Sequence, residues 1–455
     1  MPLSTDASSK AHRTAWMVCL WERARGSFRS QIVRNATWML SGQGLQLIGR
    51  MAYFVIVAHV LGPTGYGSFV ACTALVATMS PFASCGTGHV MIKYVARDRD
   101  ALAPYLGNAI VVTLVSGTLL AALAFFLRSS VLPPSATAAM LVAVGIADLL
   151  GTEINGICLQ AFLALEQGRR YSQMMALSTG TRLVAAIFLM FSKPTPGRWA
   201  YLYAASAILA TFVGLIAVSW SCVAPRFSFK LFVPSVREGV HFATALASQS
   251  VYNDIDKTML ARLGTVESAA IYAVAYRFIE PAIVPIRCLG AASYPEFFRQ
   301  GEHGVTPGFS FARRILRSSM FYGVATAVGL FLSAGLVPLL LGSAYHASAE
   351  ALRWLCVLPA FKCVHIFLSD TLTGANYQWQ TSSAQIIVSV FNILINLWII
   401  RAFSWRGAAW SSLMTDGLLV VLLYLMIRWH LSRERMVDKV KILQPPVLAP
   451  ERHQA

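Results

Sequence analysis

Charged residues are scarce in this 455-residue chain, and acidic residues are scarcer than basic ones. Asp, Glu, Lys and Arg together make up 13% of the sequence, whereas hydrophobic residues make up 56%. A soluble domain of this length would need more polar surface to face water. Apolar runs long enough to span a bilayer recur from residue 37 to residue 428. The composition therefore excludes a soluble globular protein and predicts an integral membrane protein.

Motifs of common soluble enzymes are also missing. The chain has no Walker A loop, no GxSxG elbow and no HExxH sequence, so ATP-driven transport by this chain alone is unsupported. Its eight cysteines are spaced singly, and most lie in apolar runs, where cysteine behaves as a small hydrophobe. We therefore predict no enzymatic activity, no cofactor, no metal site and no disulfide framework.

The net charge of +17 does not indicate a nucleic-acid partner. Most Lys and Arg residues are scattered over short connections and not concentrated in one domain, so we expect no nucleic acid to bind. Their distribution instead predicts topology, because cytoplasmic segments are enriched in Lys and Arg. Basic residues are frequent on the side of the N-terminus, which places both termini in the cytoplasm. The outer segments and their flanks hold only Arg128, Lys193, Arg198, Arg262, Arg353, Arg401 and Arg406.

The hydrophobic runs predict about twelve transmembrane helices in an all-α integral membrane fold. The predicted spans are 37–60, 66–88, 105–127, 135–162, 172–192, 199–223, 239–261, 268–291, 316–341, 349–373, 381–401 and 407–428. We divide them into two lobes of six helices, 37–223 and 239–428, joined by a cytoplasmic linker at 224–238. A basic cytoplasmic segment at 1–36, expected to contact membrane lipids, precedes the lobes, and a basic tail at 429–455 follows them.

A weak internal repeat supports the two-lobe division. The first span ends in Leu61-Gly62 and the seventh in Leu263-Gly264, and each is followed by a turn and a tyrosine. Internal repeats are common in transporters, with the substrate site between them. All predicted outer connections are short. Membrane glycosyltransferases and polysaccharide polymerases generally carry a large outer loop, so the short connections argue against such an enzyme.

Six basic residues interrupt the predicted spans. A charge at the middle of a membrane helix costs at least about 2.5–3.5 kcal/mol on insertion scales, so it usually faces a protein interior or a water-filled cavity. Several such cations in one bundle indicate a polar cavity for a negatively charged ligand. They are Arg50, Arg182, Lys257, Arg277, Arg287 and Lys362.

The eighth span carries three of its charges on one helical face. Arg277, Glu280 and Arg287 fall at i, i+3 and i+10, and Tyr276 lies near the same stripe. One interpretation is that Glu280 neutralises an arginine and that the group locks helices together. The other is that the stripe forms a cavity wall with one uncompensated cation. The sequence leaves both open.

The seventh span carries acidic residues with two possible roles. Asp254 and Lys257 are spaced to form a pair at i and i+3. Asp256 is either the counter-ion of a basic residue or an ion site, since intramembrane acids are frequent proton or cation sites. Asp256 and Asp254 are therefore the candidates for ion coupling, with a structural salt bridge as the alternative.

Arg182 has acidic residues within reach as well. We predict that it pairs with Asp148 or Glu153 and is structural, as Lys257 is. The candidates for the cavity lining are therefore Arg50, Arg277, Arg287, Lys362, Glu280 and Tyr276.

Short motifs throughout the chain resemble one family. Arg34-Asn35-Ala36-Thr37-Trp38 opens a glycine-rich helix, followed by Leu61-Gly62-Pro63; the second half carries Asp256-Lys257, Tyr272-Ala273-Val274-Ala275 and Gly407-Ala408-Ala409. With these motifs the chain resembles the bacterial polysaccharide flippases of the multidrug/oligosaccharidyl-lipid/polysaccharide (MOP) exporter superfamily. The resemblance covers nearly the whole chain.

The resemblance implies a MATE-like fold, in which two six-helix lobes surround a central cavity and alternate between inward-open and outward-open states. The implied cargo is an undecaprenyl-pyrophosphate-linked oligosaccharide, flipped across the bacterial inner membrane for O-antigen, capsule or exopolysaccharide synthesis. A polysaccharide polymerase and export machinery are implied partners. Arginine and lysine in the cavity suit this cargo, because arginine binds phosphate groups by bidentate hydrogen bonds.

Three other functions remain open from the sequence. The first is a multidrug or cation antiporter of the same superfamily, which would need acidic groups in the cavity. The second is a non-transporting membrane enzyme of polysaccharide assembly, and the third is a purely structural subunit of a polysaccharide-export assembly. The cationic stripe of the eighth span favours an anionic cargo over the first, and the short outer connections disfavour the second.

Overall fold

A computed structural model of the protein describes residues 6–95 and 98–443. Within these ranges it describes all side chains except those of residues 6–37, 40, 241, 242, 245–253, 291, 292, 295, 435 and 437–443. The predicted basic segments 1–36 and 429–455 lie wholly or largely outside the described side chains, so their surface role stays a prediction.

Every regular element in the described residues is a helix. A π-helical turn, Ile146–Thr152, joins α4 to α5, and short 3-10 turns lie at Arg99–Ala101 and Ser343–Tyr345. The α-helices are α1 (Asp6–Ala83), α2 (Thr87–Val95), α3 (Leu102–Val131), α4 (Ala138–Gly145), α5 (Glu153–Ala164), α6 (Gly168–Met190), α7 (Pro196–Ser221), α8 (Phe229–Leu263), α9 (Val266–Gly301), α10 (Val305–Ser333), α11 (Leu336–Leu341), α12 (His346–Leu355), α13 (Leu358–Gly374) and α14 (Gln378–Leu443).

Helix α1 folds back on itself at Gly62. This residue has a φ of 65°, which glycine adopts without a steric penalty, and Pro63 then provides a favourable first residue for the next helical segment. The rings of Phe54 and Tyr66 lie 5.8 Å apart, whereas a straight helix would separate positions twelve residues apart by roughly 18 Å. The Leu-Gly-Pro sequence therefore makes α1 a hairpin of two antiparallel segments.

Helix α14 contains a second reversal, at Ser404, where φ is 54°. The Nδ2 of Asn392 donates a hydrogen bond to Thr415 Oγ1 at 3.1 Å. A straight helix would hold residues 23 positions apart roughly 35 Å from each other. The two segments of α14 therefore run antiparallel and are joined by side-chain hydrogen bonds.

The multi-pass helical fold is confirmed, but the count of twelve spans is not. Among the described residues, eight helices are long and apolar enough to cross a membrane, or nine if the bent pair Ser343–Leu355 and Leu358–Gly374 forms one span. Two of the eight, Ser41–Ala83 and Gln378–Glu434, contain the reversals described above and each count once. Helix α8 is not among the eight.

The helices form two groups in chain order. Helices α1–α7 pack on one another and α8–α14 pack on one another, and we call these groups the N-terminal and C-terminal lobes. The lobes meet chiefly where α1 packs against α8 and α9. The largest apolar core is continuous across this interface, with Phe54 and Trp199 from one lobe and Tyr272 from the other. The predicted lobe boundaries in sequence stay predictions.

The lobes touch at the end of the bundle that holds Gly62, which we call the Gly62 end. The hydroxyl of Thr64 donates a hydrogen bond to Glu267 Oε1 at 2.9 Å. The buried hydroxyl of Tyr345 donates to the backbone carbonyl of Ala58 at 2.8 Å. Both bonds cross between the lobes and hold them together at this end.

At the opposite end, the connection between the lobes is fastened to the N-terminal lobe. The amide of Asn108 in α3 donates to the Ser228 carbonyl and accepts from the Ser228 N–H, each at 2.9 Å. Lys93 of α2 forms an ion pair with Glu238 of α8 at 2.5 Å. The first turns of α8 are therefore tied to the N-terminal lobe, although the rest of α8 belongs to the C-terminal lobe.

Candidate functional site

Arg277 and Glu280 form a charged pair in α9. Arg277 Nη1 lies 3.2 Å from Glu280 Oε2, and their side chains are 40% and 49% exposed. Both residues belong to a segment, Val266–Gly290, that is apolar enough to cross a membrane. Charges that remain this accessible in a membrane segment usually line a polar cavity, since exposure to lipid is costly. The i, i+3 spacing in the sequence predicts this contact.

The Arg277 guanidinium also reaches the N-terminal lobe. Tyr66 and Tyr53 both lie within electrostatic range of it. Both tyrosines belong to α1. Helical periodicity groups residues within one helix and does not say which residues oppose them, so neither tyrosine is predicted as a site residue from the sequence. The available signal is that Tyr53 follows Arg50 by three positions, one helical turn.

Helix α8 carries a compact polar group in the C-terminal lobe. Lys257 Nζ lies 2.6 Å from Asp254 Oδ1 and 5.1 Å from the centre of the Tyr276 ring. Asp256 is 2% exposed and accepts hydrogen bonds from the Lys257 N–H, at 2.7 Å, and from the Tyr272 hydroxyl. The predicted Asp254–Lys257 pair is present. A role of these carboxylates in ion coupling stays a prediction.

Lys362 lies in the interior of the C-terminal lobe. It is 8% exposed, and its Nζ lies 3.7 Å from Asp416 Oδ1 of α14. His365 Nε2 lies 3.8 Å from the same oxygen. The sequence pattern predicts Lys362 on an accessible cavity wall, whereas the structure buries it beside an acid that is distant in sequence. A part for Lys362 in ligand binding stays a prediction.

Arg50 and Arg287 are the least compensated of the predicted cations. Both side chains are exposed. Neither forms an ion pair with any carboxylate whose side chain the structure describes. Arg287 lies roughly 15 Å further along α9 than Arg277, toward the end opposite Gly62.

Arg182 is held by neighbours within the N-terminal lobe. Its Nη2 donates to Thr152 Oγ1 at 2.9 Å and lies 3.6 Å from Asp148 Oδ1. The predicted pair with Asp148 is therefore present. Glu153, the other predicted partner, instead accepts a hydrogen bond from Ser80 at 2.5 Å.

The π-helical turn Ile146–Thr152 places the Arg182 partners. Widening of the helix there leaves the Gly151 carbonyl free to accept a hydrogen bond from Thr211 Oγ1 of α7, at 2.6 Å. Asp148 accepts a further bond from the Tyr203 hydroxyl at 2.8 Å. These bonds hold the turn against α7 and keep Asp148 beside Arg182.

A pocket of about 150 Å³ lies beside this group, inside the N-terminal lobe. Arg50 and Arg182 both line it, although the sequence analysis assigns them different roles. The structure thus brings a predicted cavity residue and a predicted structural residue together. The other lining residues are Gln46, Tyr53, Thr152, Asn155, Gly156, Leu159, Met175, Ser178, Thr179, Ala207 and Ala210.

One protein family matches most of the chain. A family model described as "Polysaccharide biosynthesis protein" matches residues 32–300, which is more than half of the sequence. No curated protein matches the chain.

Several solved membrane transporters share its fold. An inward-facing multidrug resistance MATE family transporter of the MOP superfamily matches at 17% identity with a TM-score of 0.66, covering 87% of this chain and 96% of that one. Lipid II flippase MurJ, in an inward closed conformation, matches at 13% identity with a TM-score of 0.68, covering 87% of each chain.

A third match is a MOP superfamily transporter from Pyrococcus furiosus, for which a reverse polarity of the binding pocket is described. It is 18% identical with a TM-score of 0.56, and the match covers 88% of this chain and 95% of that one. At these identities the structural matches establish the fold alone. They confirm the predicted MATE-like arrangement of two helical lobes around a central cavity.

Proposed function

Because the chain belongs to the polysaccharide biosynthesis protein family, we propose that it is a flippase for an undecaprenyl-pyrophosphate-linked oligosaccharide. It moves the repeat unit from the inner to the outer leaflet of the bacterial inner membrane, for the synthesis of O-antigen, capsule or exopolysaccharide. The MATE and MurJ structural matches support a MOP-type fold for this task. They do not specify the cargo.

The observation that carries the proposal is the position of Arg277. Its accessible guanidinium lies in a membrane segment of one lobe, within electrostatic range of two tyrosines of the other. A cation at the junction of two lobes can bind a diphosphate group, and its surroundings change when the lobes move relative to each other. Arginine suits this role, because its planar fork of N–H donors matches phosphate oxygens and stays charged at any physiological pH.

The carboxylates of the C-terminal lobe that lie beside basic residues argue against a cationic drug as the main cargo. Asp254 pairs with Lys257, and Asp416 lies beside Lys362, so these acids are already balanced by bases of the same lobe. Glu280 is balanced by Arg277. Arg50 and Arg287 have no such partner among the described carboxylates, so their charges remain available to an anionic ligand.

The proposed direction of transport rests on charge topology and on the contact between the lobes. Both termini are assigned to the cytoplasm by the distribution of Lys and Arg, so the Gly62 end faces outward. There Gly67 lies so close to Val266 that a Cβ at Gly67 would be 2.0 Å from the Val266 carbonyl oxygen. Contact at the outer end fits an inward-facing state that receives cargo from the cytoplasmic leaflet.

Asp256 and Asp254 are the proposed groups for ion coupling. Asp256 is buried and held by Tyr272, so a change in its charge or ligand alters the packing between α8 and α9. Transport by Asp256→Asn protein in vesicles with an imposed sodium or proton gradient tests this role. We expect the variant to lose the response to the gradient, and an undiminished response would exclude Asp256.

The whole function is tested by deleting the gene and analysing the lipids of the cells. We expect lipid-linked repeat units to accumulate on the cytoplasmic face, where impermeant enzymes that modify sugars cannot reach them in intact cells. Expression of the wild-type chain should restore their access to the outer leaflet. If repeat units reach the outer leaflet at the normal rate without the protein, the assignment is wrong.

A further inference from the structure

The pocket of the N-terminal lobe has the composition of an anion site. It is enclosed by α1, α5, α6 and α7 and is separate from the contact of Arg277 with α1. Two guanidinium groups face it, and its wall adds the hydroxyl groups of Ser178 and Thr179 as hydrogen-bond donors. Its lining also includes Gln46, Thr152 and Asn155, which can hydrogen-bond to a bound ion, and apolar side chains that lower the local dielectric and strengthen its attraction to the arginines.

The charges around the pocket do not cancel. Asp148 is the carboxylate beside Arg182, and it also accepts hydrogen bonds from Tyr203 and Thr152. Arg50 has no carboxylate partner among the described side chains. Two cations and one anion leave a net positive charge inside a membrane lobe, and a bound anion would balance it.

Two helices that line the pocket are in close contact beside it. A Cβ at Gly49 of α1 would lie 2.3 Å from Thr179 Cγ2 of α6. Gly156 lines the pocket, and a Cβ there would meet no atom within 4 Å. Gly156 therefore leaves open space that a larger side chain would fill.

The pocket also communicates with the lobe interface through Tyr53. This tyrosine lines the pocket beside Arg182 and lies within electrostatic range of both Arg182 and Arg277 of the other lobe. A ligand that moves Arg182 or neutralises its charge changes the electrostatic surroundings that Tyr53 shares with Arg277. The pocket is thus placed to couple its occupancy to the contact between the lobes.

We propose that this pocket binds a phosphate-type oxyanion through Arg50 and Arg182. A volume of about 150 Å³ is well below the several hundred Å³ of pockets for drug-sized ligands, so it suits one small charged group and not a whole saccharide. The anion is either the diphosphate of the lipid-linked cargo or a free inorganic ion. Assigning the anion to the cargo rests on the proposed flippase function, whereas binding to the pocket can be tested without transport.

The test measures binding of inorganic pyrophosphate to the full-length protein in nanodiscs, at constant ionic strength, by calorimetry. We expect saturable binding by the wild-type protein. Gly156→Val fills the pocket without altering any charge and should weaken binding at least roughly tenfold. Gly180→Val is the matched control, because a Cβ at Gly180 in α6 also meets open space but does not line the pocket, and it should bind normally.

A second variant keeps the test valid if Gly156→Val does not fold. Arg50→Gln removes one charge-assisted donor, so binding should weaken roughly tenfold or more. Arg353→Gln removes an exposed arginine elsewhere and should bind as the wild type does. Absence of pyrophosphate binding by the wild-type protein overturns the proposal, and so does unchanged binding by folded Gly156→Val or Arg50→Gln.

Competition then identifies the source of the anion. If undecaprenyl pyrophosphate in the nanodisc displaces inorganic pyrophosphate, the pocket holds the diphosphate of the cargo. If both bind together, the pocket holds a free ion. Either result supports the site, and a failed flippase assignment would appear in the lipid analysis of the deletion strain while binding to the pocket persisted.

Discussion

The two lobes treat buried charge in different ways. In the C-terminal lobe, two buried lysines each lie against an acid, Lys257 against Asp254 and Lys362 against Asp416. In the N-terminal lobe, Arg50 and Arg182 line one pocket, and Arg182 lies near Asp148 whereas Arg50 has no partner among the described carboxylates. Two arginines at one pocket with one nearby acid leave a charge that a ligand can balance, which the paired lysines do not.

The difference has an energetic reason. A buried pair with its partner in place is roughly neutral for stability, but a lone buried charge costs several kcal/mol. The C-terminal lobe can therefore keep its pairs as permanent structure. Arg50 is exposed and has no described carboxylate partner, so its charge stays available and a ligand can supply the missing partner.

The largest expected effect is on the buried pair. Lys362→Met removes the cation 3.7 Å from the buried Asp416 carboxylate, and we expect a loss of about 3–5 kcal/mol of folding stability, measured as a lower thermal unfolding temperature and a lower yield of folded protein. Lys93→Met is the matched control, because the exposed Lys93–Glu238 pair should contribute less than about 1 kcal/mol. Equal effects of the two substitutions would remove the contrast between buried and exposed pairs.

The next effect concerns the junction of the lobes. Arg277→Ala removes the cation that faces the tyrosines of α1, so surface polysaccharide should fall roughly tenfold or more, as expected for the loss of a charge-assisted contact. The protein should still insert and unfold at a near-normal temperature. Quantitative polysaccharide assays and membrane fractionation measure both properties. Arg287→Ala, also an exposed arginine of α9, shows whether the whole stripe contributes.

A smaller effect is expected at Tyr272. Tyr272→Phe removes a hydroxyl that hydrogen-bonds with Asp256 and with Ser412, the latter at 2.6 Å. The buried carboxylate then lacks one donor, which should cost about 1–3 kcal/mol of stability. Tyr276→Phe is the comparison variant, because its ring lies beside that of Tyr272 and the substitution also removes one tyrosine hydroxyl. A Tyr272→Phe protein as stable as the wild type would mean that Asp256 does not depend on this bond.

The smallest effect is expected at Arg50. Arg50→Gln removes an exposed arginine without a described carboxylate partner, so the unfolding free energy should change by no more than about 0.5 kcal/mol. Thermal unfolding without added anion measures it. A stability loss as large as that of Lys362→Met would show that Arg50 is a structural charge and that the lobes do not differ.

Local charge pairs and helix breaks follow from the sequence, but contacts between distant segments do not. The spacing of Arg277 with Glu280 and of Asp254 with Lys257 predicts pairs that the structure contains. The Leu-Gly motif at Gly62 likewise marks a chain reversal. Such features depend on residues a few positions apart, and one helix is enough to define them.

The remainder depends on packing between helices. Asp416 lies 54 positions after Lys362, so no periodicity within one helix reveals that the lysine is buried against it. Tyr53 and Tyr66 approach Arg277 only because the two lobes meet along α1. The π-helical turn at Ile146–Thr152 has no motif of its own and depends on its contacts with α7.

The central claim is that an anionic lipid-linked saccharide crosses the membrane by way of the cationic junction of the lobes. The most direct measurement is transport of a lipid-diphosphate-linked oligosaccharide in vesicles that contain purified wild-type or Arg277→Ala protein, matched for folded amount. We predict that the wild-type protein moves the lipid between leaflets and that the variant does so at least roughly tenfold more slowly. Equal rates for the two proteins, or no movement with the wild-type protein, would contradict the account.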